Sequence, residues 1–176
     1  MRWQMQDNIL ISRAKHGDQA ALEELIRHWY QPIYRYLVRK TGNTCIASDL
    51  TQETFLKFVE SLPRYSPLAT FSTYIHTIAY HVAVDYFRKH KDYQVFDDKQ
   101  WDMLEDKQNG VDENYYRMKE ILHKLPDKQR ECIILYYYQG LKYRQIAEVL
   151  SIPVSTAKTR VRTGLQTCRE LWEVEK

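Results

Sequence analysis

Apolar residues recur along most of this chain at intervals of three and four positions, which is the spacing of amphipathic α-helices. In the N-terminal half this pattern predicts four helices, separated by glycines and prolines. In order, they are a segment from near Asp7 to His16, a segment from its N-cap Asp18 to Gly42 that Pro32 interrupts, a segment starting near Ser48 whose apolar positions include Val59, and a segment from about Thr70 to Lys91.

The C-terminal part of the chain shows the same period and predicts four more helices. Proline and glycine again mark where these helices begin and end. The predicted helices are one that Asn114 caps and that runs to His123, one with Pro126 in its first turn that ends at Gly140, a short one from Tyr143 to Leu150, and one from near Ser155 to about Trp172.

Composition agrees with a chain built from helices alone. Gly and Pro number only five each, whereas strand-rich folds need many turns. Hydrophobic residues make up 44% of the 176 residues, enough for a buried core. We see no apolar run long enough for a membrane span and no signal peptide. Three widely spaced cysteines indicate reduced thiols, so we expect a cytoplasmic protein that is not inserted in a membrane.

Charge is distributed unevenly along the chain. The net charge is only +3, yet an acidic segment at 92–114 separates two basic blocks. That segment has no sustained apolar period. We therefore predict an all-α protein with two small helical domains, 1–91 and 115–176, joined by a flexible acidic linker at 92–114. A solvated loop inside one domain is the alternative.

The most specific motif lies at residues 141–170. A short helix, a tight break at Ser151–Pro153 and a second helix form the layout of a helix-turn-helix. Ala147 lets the two helices approach closely, and Ala157 and Val161 point inward. Polar and basic side chains on the other faces suit phosphate and base-edge contacts in a major groove. These candidates are Ser155, Thr156, Lys158, Thr159, Arg160 and Arg162. An ordinary helical hairpin with a solvated basic face is the alternative.

Aromatic residues cluster in and before the fourth predicted helix, which ends in basic residues from Arg88 to Lys91. Aromatic rings beside cations can stack unpaired bases while the cations hold the backbone. Many of the apolar residues, Phe71 and Ile75 among them, are also at core spacing. Only residues beside the loop PRYSP and on the exposed face are therefore candidates for base contacts.

Asp49, Gln52, Glu53 and Leu56 share one face of the third predicted helix. They could form an acid/base pair, metal ligands, a docking face or a solvated face. No nucleophile, metal-spaced histidine pair or phosphate loop accompanies them. We therefore expect no enzyme activity, no catalytic or metal-binding residues and no cofactor.

Three segments together resemble a known family. They are DLTQETFLKFVESL, PRYSPLATFSTYIHTIAYHVAVDYFRK and LPDKQRECIILYYYQGLKYRQIAEVLSIPVSTAKTRVRTGL. In order and spacing they resemble the extracytoplasmic-function sigma factors of bacterial RNA polymerase, over about residues 7–172. The resemblance implies a non-enzymatic specificity subunit that binds core polymerase, recognises promoter DNA and helps melt it. It also implies restraint by an anti-sigma factor.

The resemblance implies roles for individual surfaces. The face with Asp49, Gln52, Glu53 and Leu56 would bind the clamp coiled coil of the largest polymerase subunit. The helix with Ser155 to Arg162 would enter the major groove at the minus-thirty-five element. A pocket beside PRYSPLAT would capture a flipped base of the minus-ten element. The implied minus-ten residues are Arg64, Tyr65, Phe71, Tyr74, Tyr80 and Arg88.

Some positions depart from the family pattern. Tyr74 stands where members often carry Trp, and His81 where they often carry Asn. The common T-V-K-S-R reads Thr156 to Arg160 here, with Ala157 and Thr159 replacing the second and fourth residues. Two other functions remain open. One is a helix-turn-helix regulator that acts without core polymerase, and the other is a helical module that binds polymerase without activating it.

Overall fold

Every regular element in the described part of the chain is helical, as predicted. The structure is a computed structural model that describes residues 2–66, 70–90 and 113–174, with side chains for 6–66, 70–90 and 117–173. The chain divides into two compact units between Trp101 and Asp102. That division falls inside the predicted linker, of which 92–112 lies outside the described residues.

The described part of the N-terminal unit contains four α-helices, and a 3₁₀ turn, Leu62–Arg64, follows the third of them. The four helices are α1 (Arg2–Lys15), α2 (Gln19–Thr41), α3 (Thr44–Ser61) and α4 (Phe71–Lys89). From residue 113 onward the C-terminal unit has four more α-helices, and a π-helical turn, Ile134–Tyr138, follows the second of them. These are α5 (Glu113–Lys124), α6 (Asp127–Ile133), α7 (Tyr143–Leu150) and α8 (Val154–Val174).

Side-chain caps fix where the N-terminal helices begin. Asp18 Oδ1 accepts from the backbone N–H of Ala21 at 3.1 Å, as the sequence predicted. Thr70 caps α4 in the same way. Asn43 accepts from the N–H of Ile46 at 3.0 Å, so α3 begins at Thr44 rather than near Ser48. The prediction placed that start too late because a cap is defined by backbone geometry as well as by residue type.

Pro32 does not interrupt α2, which corrects the sequence prediction. The helix runs through it from Gln19 to Thr41. An interior proline costs about 3 kcal/mol through its missing N–H and its ring. Ile33, Tyr36 and Leu37 follow it and are completely buried, and this burial holds the second half of the helix in line with the first. Likewise, α5 begins at Glu113 and includes Asn114, which is therefore not its cap.

Aromatic rings form the centre of the N-terminal unit. Phe71, at the start of α4, contacts Trp29 and Phe58 edge to face, with ring centroids 5.7 and 5.1 Å away. Trp29 also donates to the buried carboxyl of Asp7 at 3.1 Å, which ties α1 to α2. Burial raises the pKa of that carboxyl, although the Trp29 hydrogen bond opposes the rise. The four helices are thus locked around one aromatic cluster.

The C-terminal unit is built around the crossing of α6 and α8. Cys132 and Ile133 of α6 and Ala157 and Val161 of α8 are all buried. Between α7 and α8, Ser151 adopts a left-handed conformation with φ 52°, and the N–H of Ile152 donates to Ala147 O at 3.0 Å. This tight turn confirms the predicted helix-turn-helix break. No helix among the described residues is long and apolar enough to cross a membrane.

Gly164 allows α8 to approach α6 closely. A Cβ at this position would lie 2.8 Å from Ile133 Cδ1. We expect Gly164→Ala to lower the free energy of unfolding, because overpacking costs about 1–3 kcal/mol and the helix-propensity gain of about 1 kcal/mol offsets only part of it. Urea denaturation followed by circular dichroism measures the change.

Gln166→Ala is the matched control, because Gln166 is exposed on the same helix. It should change the free energy of unfolding by less than about 0.5 kcal/mol. Equal stability of Gly164→Ala and the unsubstituted chain would mean that the Ile133 side chain simply moves aside.

Candidate functional site

One face of α8 presents polar and basic side chains to solvent. Ser155, Lys158, Thr159 and Arg162 are exposed and lie within one stripe of the helix. The opposite stripe is buried through Ala157 and Val161. Because these inward residues fix the rotation of α8, the exposed stripe is held in one orientation within its unit. This is the geometry required of a helix that enters a major groove.

The other two predicted residues of α8 are placed differently. Thr156 and Arg160 are half-buried on the flank of the helix. The Arg160 side chain interacts electrostatically with the thiol of Cys132 in α6. Burial raises the pKa of that thiol to about 11, and Arg160 partly opposes the rise. Arg160 therefore braces α8 against α6, a role that helical spacing alone did not reveal.

An aromatic stack lies beside the exposed stripe, and its two tyrosines are not among the residues predicted from the sequence. The rings of Tyr136 and Tyr143 are parallel, with centroids 4.9 Å apart and an interplanar angle of 13°. Lys158 Nζ lies 6.0 Å from the Tyr143 ring centroid, at the limit of a cation–π contact. The only sequence signal for this stack is the density of tyrosines in YYYQGLKY. The turn that brings Tyr136 and Tyr143 together cannot be predicted from helical spacing.

The predicted minus-ten residues divide into buried and accessible groups. Tyr65 and Phe71 are buried, with 6% and 2% of their surface exposed. Tyr74 and Tyr80 are half-buried, whereas Arg64 and Arg88 are exposed. The buried pair lies in the aromatic core, so only the other four present surface to a ligand. Residues 67–69 of the adjoining loop lie outside the described residues.

Tyr74 is fixed by its hydroxyl. Its Oη donates to Ser61 Oγ at 2.7 Å, and its ring lies 4.6 Å from the ring of Tyr65. Lys15 Nζ donates to the carbonyl of Tyr65 at 2.7 Å. Tyr65, in the described start of the loop after α3, is thereby held by α1 and α4 together.

Cations lie beside the accessible aromatic residues of α4. Lys40 Nζ lies 4.8 Å above the ring of Tyr80. Arg88 forms an ion pair with Asp85 at 3.1 Å and remains largely exposed. Exposed pairs of this kind hold their partners weakly, so Arg88 stays available for a phosphate.

The predicted face of α3 is exposed, and its apolar part is longer than expected. Asp49, Gln52, Glu53 and Leu56 are all exposed, and Leu56 exposes 64% of its surface. Val59, predicted to face the core, exposes 38% and extends the apolar strip by one helical turn. Its side chain points outward because Phe55 and Phe58 already fill the inward stripe.

Exposed apolar side chains among carboxylates are typical of a protein-binding surface. Glu53 forms an ion pair with Lys57 of its own helix, at 3.0 Å. Within the described ranges there is no group of three or more His, Cys, Asp or Glu side chains that could hold a metal ion. The exposed apolar residues of α3 favour a docking face.

Two sections of the sequence match known protein families. Residues 25–93 match Sigma-70 region 2, and residues 116–168 match Sigma-70, region 4. The first match covers α3 and α4, and the second covers the helix-turn-helix. The three surfaces described above therefore lie within the matched sections.

Relatives are similar over nearly their whole length. The RNA polymerase sigma factor YlaC of Bacillus subtilis (strain 168) is 31% identical over 152 residues, which span 82% of this chain and 87% of the relative. The ECF RNA polymerase sigma factor SigW of the same organism is 31% identical over 175 residues, spanning 91% and 93%.

Solved structures show the same fold. CnrH, in complex with the cytosolic domain of CnrY, matches with a TM-score of 0.77 at 19% identity and covers 97% of this chain and 99% of that one. The sigma factor RpoE, in complex with the anti-sigma factor NepR from Bartonella quintana, matches with a TM-score of 0.68 at 21% identity and covers 88% and 97%.

The buried thiol of Cys132 makes the stability of the protein depend on pH. Its pKa in the folded chain, about 11, lies above the ordinary value of 9.0. Because its pKa is raised on folding, the thiol makes its full contribution to the free energy of unfolding below about pH 9, and that contribution is lost as the pH rises through 11. Cys132→Ser has no thiol to ionise. We therefore expect the stability difference between the unsubstituted chain and Cys132→Ser to shrink between pH 9 and 11 in urea denaturation. A difference that stays constant would contradict this assignment.

Proposed function

The chain belongs to the extracytoplasmic-function sigma factors of bacterial RNA polymerase, and we propose how its two helical domains divide that work. A sigma factor binds core polymerase, recognises promoter DNA and helps to melt it. We assign core binding and the minus-ten element to residues 1–91, and the minus-thirty-five element to residues 115–176. An acidic linker at 92–114 joins them. The observation that carries the proposal is that one chain bears both the apolar–acidic face of α3 and the basic stripe of α8.

The α3 face is the proposed polymerase-binding surface. Leu56 and Val59 supply apolar area, and Asp49, Gln52 and Glu53 flank it with polar groups. An apolar centre with a polar rim is the usual anatomy of such an interface. We propose that the clamp coiled coil of the largest subunit packs on this strip.

The minus-ten element would meet the accessible residues of α4 and the loop before it. Arg64 and Arg88 would hold phosphates, and Tyr74 and Tyr80 would offer ring surface to unpaired bases. Tyr65 and Phe71 are buried, so we propose that they support this surface from beneath rather than form its accessible part. Taking a base out of the stack costs a few kcal/mol, which such ring contacts must offset.

The minus-thirty-five element would meet α8. The exposed stripe of Ser155, Lys158, Thr159 and Arg162 is our proposed reading surface. Thr156 on the flank would contact the backbone, and Arg160 would hold the helix in position through Cys132. Tyr143 would orient Lys158.

We also propose an anti-sigma partner and a cytoplasmic place of action. The solved structure of the sigma factor RpoE, which has this fold, contains such a partner, the anti-sigma factor NepR. The chain would act where the polymerase is, as an initiation factor without chemistry of its own.

In vitro transcription tests the proposal directly. The protein is added to core polymerase free of other sigma factors, on genomic fragments from its own source. We expect new start sites, and we expect Glu53→Lys to reduce their yield by more than about tenfold, because a like-charge or mismatched contact at an interface costs several kcal/mol. Glu23→Lys makes the same charge change on the exposed surface of α2 and should leave the yield unchanged.

Two outcomes would contradict the proposal. Binding of core without transcripts would favour a module that occupies polymerase without activating it. Specific duplex binding by the protein alone, with no binding to core, would favour a helix-turn-helix regulator.

Lys158 is expected to contact the DNA backbone or a base edge at the minus-thirty-five element. Lys158→Ala should weaken the complex of the assembled polymerase with promoter DNA and lower the slope of log K against log salt by about 0.9. Fluorescence anisotropy across a salt series measures both quantities. Lys128→Ala removes an exposed lysine from α6 instead, and an equal change in slope for the two variants would show that only overall charge matters.

A further inference from the structure

Three groups at the junction of α3 and α4 form a hydrogen-bond chain with a fixed direction. Ser61 Oγ donates its proton to the carbonyl of Phe58 at 2.8 Å. A hydroxyl has one proton and two lone pairs. The lone pairs of Ser61 are therefore left to accept, and Tyr74 Oη donates to them at 2.7 Å. Each bond polarises the next and strengthens it.

This chain determines where the ring of Tyr74 can lie. Its hydroxyl end is tied to the last turn of α3, and its backbone belongs to the first turn of α4. One face meets Tyr65, at 4.6 Å between centroids and 56° between planes. Its edge approaches Phe58 at 6.5 Å. A tyrosine held at both ends cannot rotate freely about its side-chain bonds.

The anchored ring lies against the described start of the loop, where Lys15 holds the carbonyl of Tyr65. Tyr74 is only half-buried, so part of its ring is available on this side. Where many family members carry Trp, this chain carries a smaller ring with a hydroxyl. The smaller ring fills less space, and its hydroxyl is placed at the end of the ring, where it reaches Ser61.

We infer that Ser61 is a positioning residue for promoter opening: it holds the ring of Tyr74 at the angle at which a flipped minus-ten base meets it. This inference rests on the proposed function and adds a residue outside the surfaces assigned above. A ring that is already ordered loses no rotamer entropy when the base binds. That entropic cost therefore does not reduce the favourable free energy of the contact. Ser61 itself touches no base.

The test compares variants that break the same bond from opposite sides. Ser61→Ala removes the acceptor and Tyr74→Phe removes the donor, and each keeps an aromatic ring at position 74 while releasing it from α3. The assembled polymerase, with the chain in excess over core, opens a duplex promoter that carries 2-aminopurine in the non-template minus-ten element. The rise in fluorescence reports unstacking of the base.

We expect each single variant to open the promoter about three- to tenfold more slowly, which is the range for one lost hydrogen bond. The double variant should be no slower than the slower single variant, because both remove one interaction. Ser61→Thr keeps a hydroxyl and should open within about twofold of the unsubstituted rate. Tyr34→Phe removes a half-buried phenol hydroxyl from α2 as the matched control and should leave the rate unchanged.

Thermal unfolding and core affinity of each variant are measured beside the opening rate. Slower opening by variants that stay folded at the assay temperature and bind core with unchanged affinity supports positioning, because loss of folding or of docking would lower the amount of active complex rather than the opening rate. Opening at the unsubstituted rate by Ser61→Ala and Tyr74→Phe, or losses that add in the double variant, would overturn the inference. Failure of the unsubstituted chain to open any promoter with core would overturn the proposed function itself.

Discussion

The N-terminal unit depends on the packing of Phe71 against the aromatic rings of the other helices. It meets Trp29 of α2, Phe58 of α3 and Tyr65 of the intervening loop edge to face, with centroids between 5.1 and 6.3 Å away. Edge-to-face pairs contribute about 0.5–1.5 kcal/mol each beyond their buried area. They also have angular preferences, so this cluster fixes the rotation of α4. The faces offered to solvent are the ones that remain once this cluster has formed.

This dependence on long-range aromatic packing explains which features of the fold could be predicted from the sequence. The apolar period and the capping residues are local properties of the sequence, so they predict where helices lie. Asp18 and Gly42, for example, cap the two ends of α2, as predicted. Tyr65 and Tyr74 were both selected as aromatic residues near the loop, yet one is buried and the other half-exposed. No local pattern separates them, since the difference arises from contacts with α1 and α3 that are distant in sequence.

The misplaced expectations share the same origin. Pro32 should break an isolated helix, and only the buried residues that follow it keep α2 continuous. Val59 fits an apolar period, but Phe55 and Phe58 already occupy the inward stripe. In each case tertiary packing decided an outcome that helical spacing alone leaves open.

Charge gives a reason for placing two DNA-binding surfaces on one polymerase-bound chain. A net charge of +3 over 176 residues allows only modest counterion release, and each unit offers DNA a small surface. Two such surfaces held on one complex act at a high effective concentration for each other, so their combined affinity exceeds that of either. In the proposed arrangement, the α3 face would therefore contribute to DNA recognition: without core polymerase, the tyrosines of α4 would meet paired, stacked bases, and the basic stripe of α8 would bind by itself.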